Sequence, residues 1–518
     1  MQKGKWLLKT GVMLTLASSL MAGCGSSSKE GTSSISPSAS PADTGKPVPI
    51  EFTLVGTGNP ASGDDYLKQA IDQTLNIDLQ INPIQSFDDY KNKIRVRLAA
   101  NNRPDLFVVD QALLKDLSDK DMLLDLTPYW DKQLKPAKDF IVSNFGEIMI
   151  KKGNVNGKSY AIPRSNGVPY TSFWIRKDWL DHLNLQMPTT LDELFNVLKA
   201  FTENDPDGNG QKDTYGLTGL GGAGTTLGAF MPIFGAYGTG YPGNFIEKDG
   251  KLENTYYDPN MPEALKYIKK LIDAKVIDPD IITNNGLNEV LTKLFQGKAG
   301  VAFLAWPDIA KDAPKEQIKA INPKAEWIQM DPPKGPGGQF NDAYDFDATA
   351  SLYAIPKALE KEPQKLQKVF DLINYVSSKE GNMLALYGVE GRHYNMTNGK
   401  MVPTDLQGKE GGYFWMYQIT SRPHQEYLAA RFPNLAKEIE FAIKTPRLKQ
   451  FNSSVIAPDG FNKADADRYS QEELVKFVYG KRPIEEYGDF LKTLETTYKY
   501  KTYVESGLKQ IRDQGLSK

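Results

Sequence analysis

The stretch "NDPDGNGQKDTYG", Asn204 to Gly216, sets oxygen-bearing side chains at alternate positions with glycines between them. An EF-hand-type loop needs oxygen ligands at its first, third and fifth positions, glycine at the sixth, a backbone carbonyl at the seventh and a further ligand at the ninth. Asp205, Asp207 and Asn209 fall at one, three and five, Gly210 at six, Gln211 (through its carbonyl) at seven and Asp213 at nine. The alternate spacing lets a chain curl around a sphere with every second side chain inward, and glycine permits the sharp bend. Oxygen-only ligands with three carboxylates suit a hard cation, calcium rather than zinc. The twelfth position is Gly216, so the usual bidentate glutamate is missing, and Thr214 or a water would complete the shell. The other reading is a plain polar turn, since "DPDGNG" is rich in turn formers.

Cys24 is the only cysteine in 518 residues, so no internal disulfide forms. Lys3, Lys5 and Lys9 precede the apolar run "GVMLTLASSLMAG", which has the flanks and length of a secretory signal over residues 1–23 rather than of a spanning helix. "LMAGC" then resembles a bacterial lipobox, with Met21 where leucine is usual, and implies a lipidated Cys24, palmitate being one of its acyl groups. The alternative is a secreted chain cleaved near Ala22 with a stray thiol. Residues 24–48, rich in Ser, Gly and Pro, have little to bury and are expected to be a flexible tether. The expected arrangement is a folded body held to the cell membrane, on its outer side, by a lipid. A net charge of -2 lacks the basic surplus of a nucleic-acid binder. His182, His393 and His424 are scattered, which argues against a zinc site.

The elements that must position these residues follow an α/β order. "PIEFTLVG" and "IDLQINPI" alternate as strands, and "PDLFVVD" reads as a buried strand. Between them lie helices with Leu67, Ala70, Ile71 and Leu75 on one face, then Tyr90, Ile94 and Leu98 after a Ser86/Asp89 cap. Strand–helix–strand–helix–strand predicts a mainly parallel sheet, which binds ligands beyond the carboxyl ends of its strands. A second α/β pattern starts at "YTSFWIR" and includes a helix capped by Thr190 and Glu193, with Leu191, Leu194, Phe195, Leu198 and Phe201 as its buried stripe. The strands "AGVAFLAW" and "TASLYAIPKA" follow, and the part from about Leu435 is mostly helical, with a break at Gly480 to Pro483.

In order along the chain, the lipobox, the tether, "RPDLFVVD", "VNGKSYAIPRS", "IRKDWLDHLNLQMPTTLDEL", "NDPDGNGQKDTYGL", "LFQGKAGVAFLAW", "LYAIPKA" and "GVEGRHYNM" resemble the extracellular solute-binding lipoproteins of carbohydrate ABC importers. The branch resembled includes alginate-binding and larger oligosaccharide-binding proteins, and its members hold a structural calcium in the Asp205–Asp213 loop. The resemblance implies a two-lobed periplasmic-binding-protein fold of type II kind, with a central ligand cleft and a helical C-terminal region. It places lobe 1 over 49–165 plus about 347–388, and lobe 2 over about 166–346 plus about 389–518.

It also implies a monomeric, non-enzymatic receptor that captures an oligosaccharide and passes it to the transmembrane subunits of a permease. Sugar sites pair flat aromatic rings with charged or amide side chains. Trp306 and Trp415 are the expected platforms, with Tyr413 beside the second, and Arg392 is the expected polar clamp. Arg164, Glu390, Tyr394, Asp345 and Asp347 lie near the expected crossings between lobes. An arginine-bearing cleft suits acidic sugars such as uronides, although arginine also grips hydroxyls. A peptide receptor of similar fold and a lipid-anchored glycan hydrolase or lyase are the alternatives.

Overall fold

The computed structural model describes residues 45–221, 226–284 and 286–517. The signal segment, Cys24 and nearly all of the tether lie outside the described residues. Lys46–Lys518 make one compact unit.

The first sheet has five strands. Val48–Val55 lies between Ile77–Ile84 and Leu106–Val109, parallel to both. The helices Tyr66–Leu75 and Phe87–Ala99 make the crossovers, each opened by a side chain that accepts a backbone N–H, Asp65 from Lys68 and Ser86 from Asp89. Such caps satisfy donors that a helix start otherwise leaves open. Thr349–Ala354 then pairs antiparallel with Leu106–Val109, and Ala161–Ser165 pairs antiparallel with Thr349–Ala354. Ala161–Ser165 therefore runs in the same direction as the three parallel strands, and Gly56, Asp110 and Ser165 share one edge of the sheet.

The second sheet has the order Trp327–Met330, Thr171–Arg176, Ala299–Ala305, Tyr215–Thr218. The last two are parallel, and Thr171–Arg176 runs against them. Both faces are covered, which explains the continuous apolar runs in these strands. Phe173, Ile175 and Val301 pack with the helix Leu191–Glu203 and the C-terminal helices Lys463–Val478, Tyr487–Thr497 and Tyr500–Asp513. Trp174, Ala302 and Leu304 pack on the other face with Val290, Tyr387, Tyr427 and Ile439. The Thr190/Glu193 capping box forms with both of its reciprocal bonds.

The two sheets own separate cores. The first gathers residues from Ile50 to Ile162, then Leu352 to Ala385. It also takes in Tyr413, Phe414, Met416, Tyr417 and Ile419, from a stretch the sequence pattern assigns to the second lobe. These residues form a 3-10 turn over Gly411–Tyr417 whose rings cannot stay exposed, and Tyr417 donates to Asp65 at the start of the first helix (2.6 Å). A third sheet joins Ala343–Tyr344 and Leu448–Gln450 to the hairpin Phe245–Lys248/Lys251–Asn254.

Candidate ligand-binding site

The carboxyl edges of the two main sheets are joined directly by Ser165–Pro169. Arg164 is the last residue but one of the strand on the first side, and Tyr170 immediately precedes the strand on the second. Trp306, just after Ala299–Ala305, donates its backbone N–H to the Tyr170 carbonyl (3.0 Å), so both sit on the same edge. Strand ends that face each other in this way form the usual ligand position of open α/β sheets.

Trp415 lies on the first edge. A methyl placed on Gly56, the residue after the first strand, would come within 2.6 Å of its ring. The indole thus rests on bare backbone, and its ring is partly exposed. Arg164 donates to the Trp415 carbonyl (3.3 Å) and to Gln418 Oε1 (3.3 Å). Arg422 donates to the same Gln418 oxygen (2.9 Å) and to His424 Nδ1 (3.3 Å), and stacks over Tyr427 at 4.0 Å. It also stands beside the Tyr170 hydroxyl. Because Arg422 donates to Nδ1, His424 is the neutral tautomer that carries its proton on Nε2, which faces Ser421 Oγ at 3.3 Å. Burial, reinforced by Arg422 and Arg164, pushes His424 down to about 3.

One cavity borders this cluster and a second lies elsewhere beside the first sheet. The first, of about 500 Å³, is bounded by Phe145, Ser165, Gly167, Phe346 and His424. The second, of about 500 Å³, lies between Val108–Ala112 with Thr349–Leu352 on the first lobe and Asn452–Ala457 on the second.

The other sequence candidates divide by environment. Trp306 is 1% exposed, stacked on Tyr170 (5.8 Å) and edge-on to Phe432 (5.4 Å). The expected platform is therefore a core ring here, and Tyr170 is the ring that covers it. Tyr413 is buried beside Phe414 and Tyr417. Arg392 is held bidentately by Glu410 (2.9 and 2.8 Å) and stacks on Tyr66 at 3.8 Å, so the expected clamp is already engaged by protein partners. Glu390 is exposed, and Tyr394 packs on Tyr387.

Asp345 is buried at the return crossing. It accepts the Ser453 N–H (2.8 Å), and burial raises its carboxyl. Lys152, from the first lobe, donates to the hydroxyls of Ser453 and Ser454 in the second; burial lowers its ammonium, and the charges of Asp345 and Asp347 oppose that shift. Arg164 and Trp415 are thus brought together, both of them candidates of the sequence reading. Tyr170, Gln418 and Arg422 escape it; the one available signal was an arginine set before Pro423, outside any helix.

The Asp205–Asp213 loop turns on the positive φ of Asp205, Gly208 and Gly210. Asp205 accepts the N–H groups of Asn209 (3.0 Å) and Gly210 (2.9 Å). The Asn209 amide donates to Asp207 (3.0 Å) and Asp213 (3.3 Å). Asp213 also pairs with Lys298 (2.5 Å), and Thr214, which is buried, donates to the Phe201 carbonyl (2.7 Å). Among the described residues no group of three His, Cys, Asp or Glu side chains stands ready to hold a metal. The donor chemistry still fits a hard cation, with three carboxylates drawn to Asn209, two by its side-chain amide and one by its backbone N–H, and Asp207 raised by burial and by Asp205.

Two lobes, a cleft between strand ends and a crossing chain define a solute-binding receptor. The sequence pattern of the family described as bacterial extracellular solute-binding protein matches residues 58–383, more than half of the chain, which belongs to that family. Lipoprotein LipO of Bacillus subtilis is 28% identical over 421 residues, covering 78% of this chain and 76% of that one. The polygalacturonan/rhamnogalacturonan-binding protein YtcQ of the same organism is 29% identical over 315 residues, 60% of each chain. The solved structure of an EF-hand mutant of FusA, an ABC-transporter substrate-binding protein of Streptococcus pneumoniae, in complex with fructo-nystose, shares the fold. Its TM-score is 0.69 at 18% identity, over 90% of this chain and all of that one.

Proposed function

We propose that this chain captures an oligosaccharide between its lobes and delivers it to the membrane permease of an ABC importer. The observation that carries the reading is Trp415, a partly exposed indole laid on Gly56 at the carboxyl edge of the first sheet, with Arg164 bonded to its carbonyl. A flat ring beside polar donors matches the two surfaces of a sugar, its C–H faces and its hydroxyl rim. Family membership and the glycans in the names of YtcQ and of the FusA complex support the same cargo class.

In this reading lobe 1 is 49–165 with about 347–388 and the 411–420 turn, lobe 2 is the remainder, and hinge closure over the ligand is the expected motion. The protein works as a monomer without turnover, fixed outside the cell membrane through lipidated Cys24. The loop of Asp205, Asp207, Asn209, Gln211 and Asp213 takes a structural calcium, which would neutralise the gathered carboxylates and stiffen the approach to the second sheet. Thermal melting against a panel of oligosaccharides and peptides tests the cargo. A ligand at a hundred times its Kd adds about 2.7 kcal/mol to the folded state. A shift with a glycan is expected; a shift with peptides alone would overturn the reading.

A further inference from the structure

We infer that Arg164 and Arg422 form a paired-guanidinium subsite for an anionic group, a carboxylate or a sulfate, carried by a sugar of the captured oligosaccharide. The inference rests on the oligosaccharide reading above and adds a charge requirement to it.

The pair departs from the pattern of most arginines of the chain, although Arg431, which donates to the Tyr427 hydroxyl, and Arg512 also form no ion pair among the described residues. Arg176 is held by Asp178, Arg447 by Asp342, Arg97 by Glu51, Arg392 by Glu410 and Arg482 by Glu473. Arg164 and Arg422 make no ion pair with a carboxylate among the described residues. Their partners are all neutral: the Trp415 carbonyl, His424, and one oxygen of Gln418 that accepts from both. Glu426, the nearest acid in sequence to Arg422, is exposed and bonds neither. Two partly buried cations have been brought to a single acceptor with no counter-charge, an arrangement that costs folding energy unless an anion completes it.

The surroundings share this polarity. Each guanidinium disfavours the charged form of the other or of His424, so the local field is positive. The pair stands where the two sheet edges meet, with Arg164 bonded to the Trp415 carbonyl and Arg422 beside the Tyr170 hydroxyl. A sugar stacked on Trp415 would hold a ring substituent over the guanidiniums. Planar forks of this kind bind carboxylate and sulfate oxygens in pairs, with geometry that a lysine cannot supply.

The test is calorimetric titration of the whole chain with four probes of equal length: a uronic-acid oligomer, its methyl ester, a sulfated oligomer and an uncharged oligomer. The ester keeps shape and carbonyl but removes charge. The acid or the sulfated probe is expected to bind at least about tenfold tighter than the ester, the scale of one charge-assisted pair. Which of the two wins assigns the anion. Arg422→Gln and Arg164→Gln should each remove the preference for the charged probe over the ester, whatever they do to the ester's own affinity. Arg422→Lys should recover only part of the difference.

Equal binding of acid, sulfate and ester would overturn the subsite, and that comparison needs no variant to fold. So would weakening of charged probe and ester by the same factor in Arg422→Gln, which keeps the preference. Binding of the uncharged oligomer alone would remove the subsite and leave the oligosaccharide reading intact. Binding of no glycan at all would remove both.

Discussion

Mild acid should loosen this protein through His424. Its ring is 8% exposed, lies against Gly167, and accepts from Arg422 at Nδ1. Protonation would put a new N–H against a guanidinium donor inside the protein. Its pKa is about 3 in the fold, against 6.5 as the ordinary value. The folded state therefore favours the neutral ring. The stabilisation is fully present above pH 6.5 and is lost as pH falls toward about 3, because the unfolded chain takes up a proton that the fold refuses. Each pH unit well inside that window costs about 1.4 kcal/mol, so the protein should be about 2 kcal/mol less stable at pH 5 than at pH 8 on account of this residue. Urea titrations of the wild type and His424→Gln at pH 8, 6 and 5 isolate the effect from ordinary carboxylates. Gln can still accept from Arg422 but does not titrate, so the variant should lose most of the slope between pH 6.5 and 5. A variant with the same slope as the wild type would refute the assignment of a neutral, arginine-facing ring.

Three further outcomes follow from the same geometry. Lys152→Met and Asp345→Asn each strand a buried charge, and Asp345→Asn should cost about 3 kcal/mol in urea unfolding, while the double variant should be less unstable than the sum by about 2 kcal/mol; simple additivity would mean that the two charges do not communicate across the lobes. Gly56→Ala drives a methyl into the Trp415 ring at a positive φ, and should weaken glycan binding about tenfold, or about 1.4 kcal/mol, and also lower the Tm. Chelator should lower the Tm of the wild type but not of Asp207→Asn with Asp205→Asn, and metal analysis of the untreated protein should find calcium; an unchanged melt with no bound metal would make the loop a polar turn.

The local elements were legible because each carries its own signal. Ile77–Ile84 alternates, Thr190 and Glu193 sit three apart before an apolar stripe, and Gly297 stops a helix with a positive φ. What stayed hidden depends on pairing between distant segments. Nothing near Ala343–Tyr344 announces a parallel partnership with Leu448–Gln450, and no local pattern sends Tyr413–Ile419 back to the first core.

The candidate site divides the same way. Arg164 and Trp415 stood out because each lies beside or close to a proline or glycine. Trp306 and Arg392 met that criterion as well, yet one is covered by Tyr170 and the other is bound by Glu410, and both outcomes are set by tertiary neighbours. Tyr170 looked like the first residue of an apolar strand, and Arg422 gained meaning only once Gln418 brought it to Arg164.

The central claim is that ligand binds where the two sheet edges meet. Hydrogen exchange of the whole chain, with and without a saturating glycan from the melting panel, tests it most directly. Protection is expected at 56–60, 164–170 and 411–424, the segments that carry Trp415, Arg164, Arg422 and Tyr170. Protection confined instead to the groove between Lys315 and Trp327 on the second lobe would contradict it.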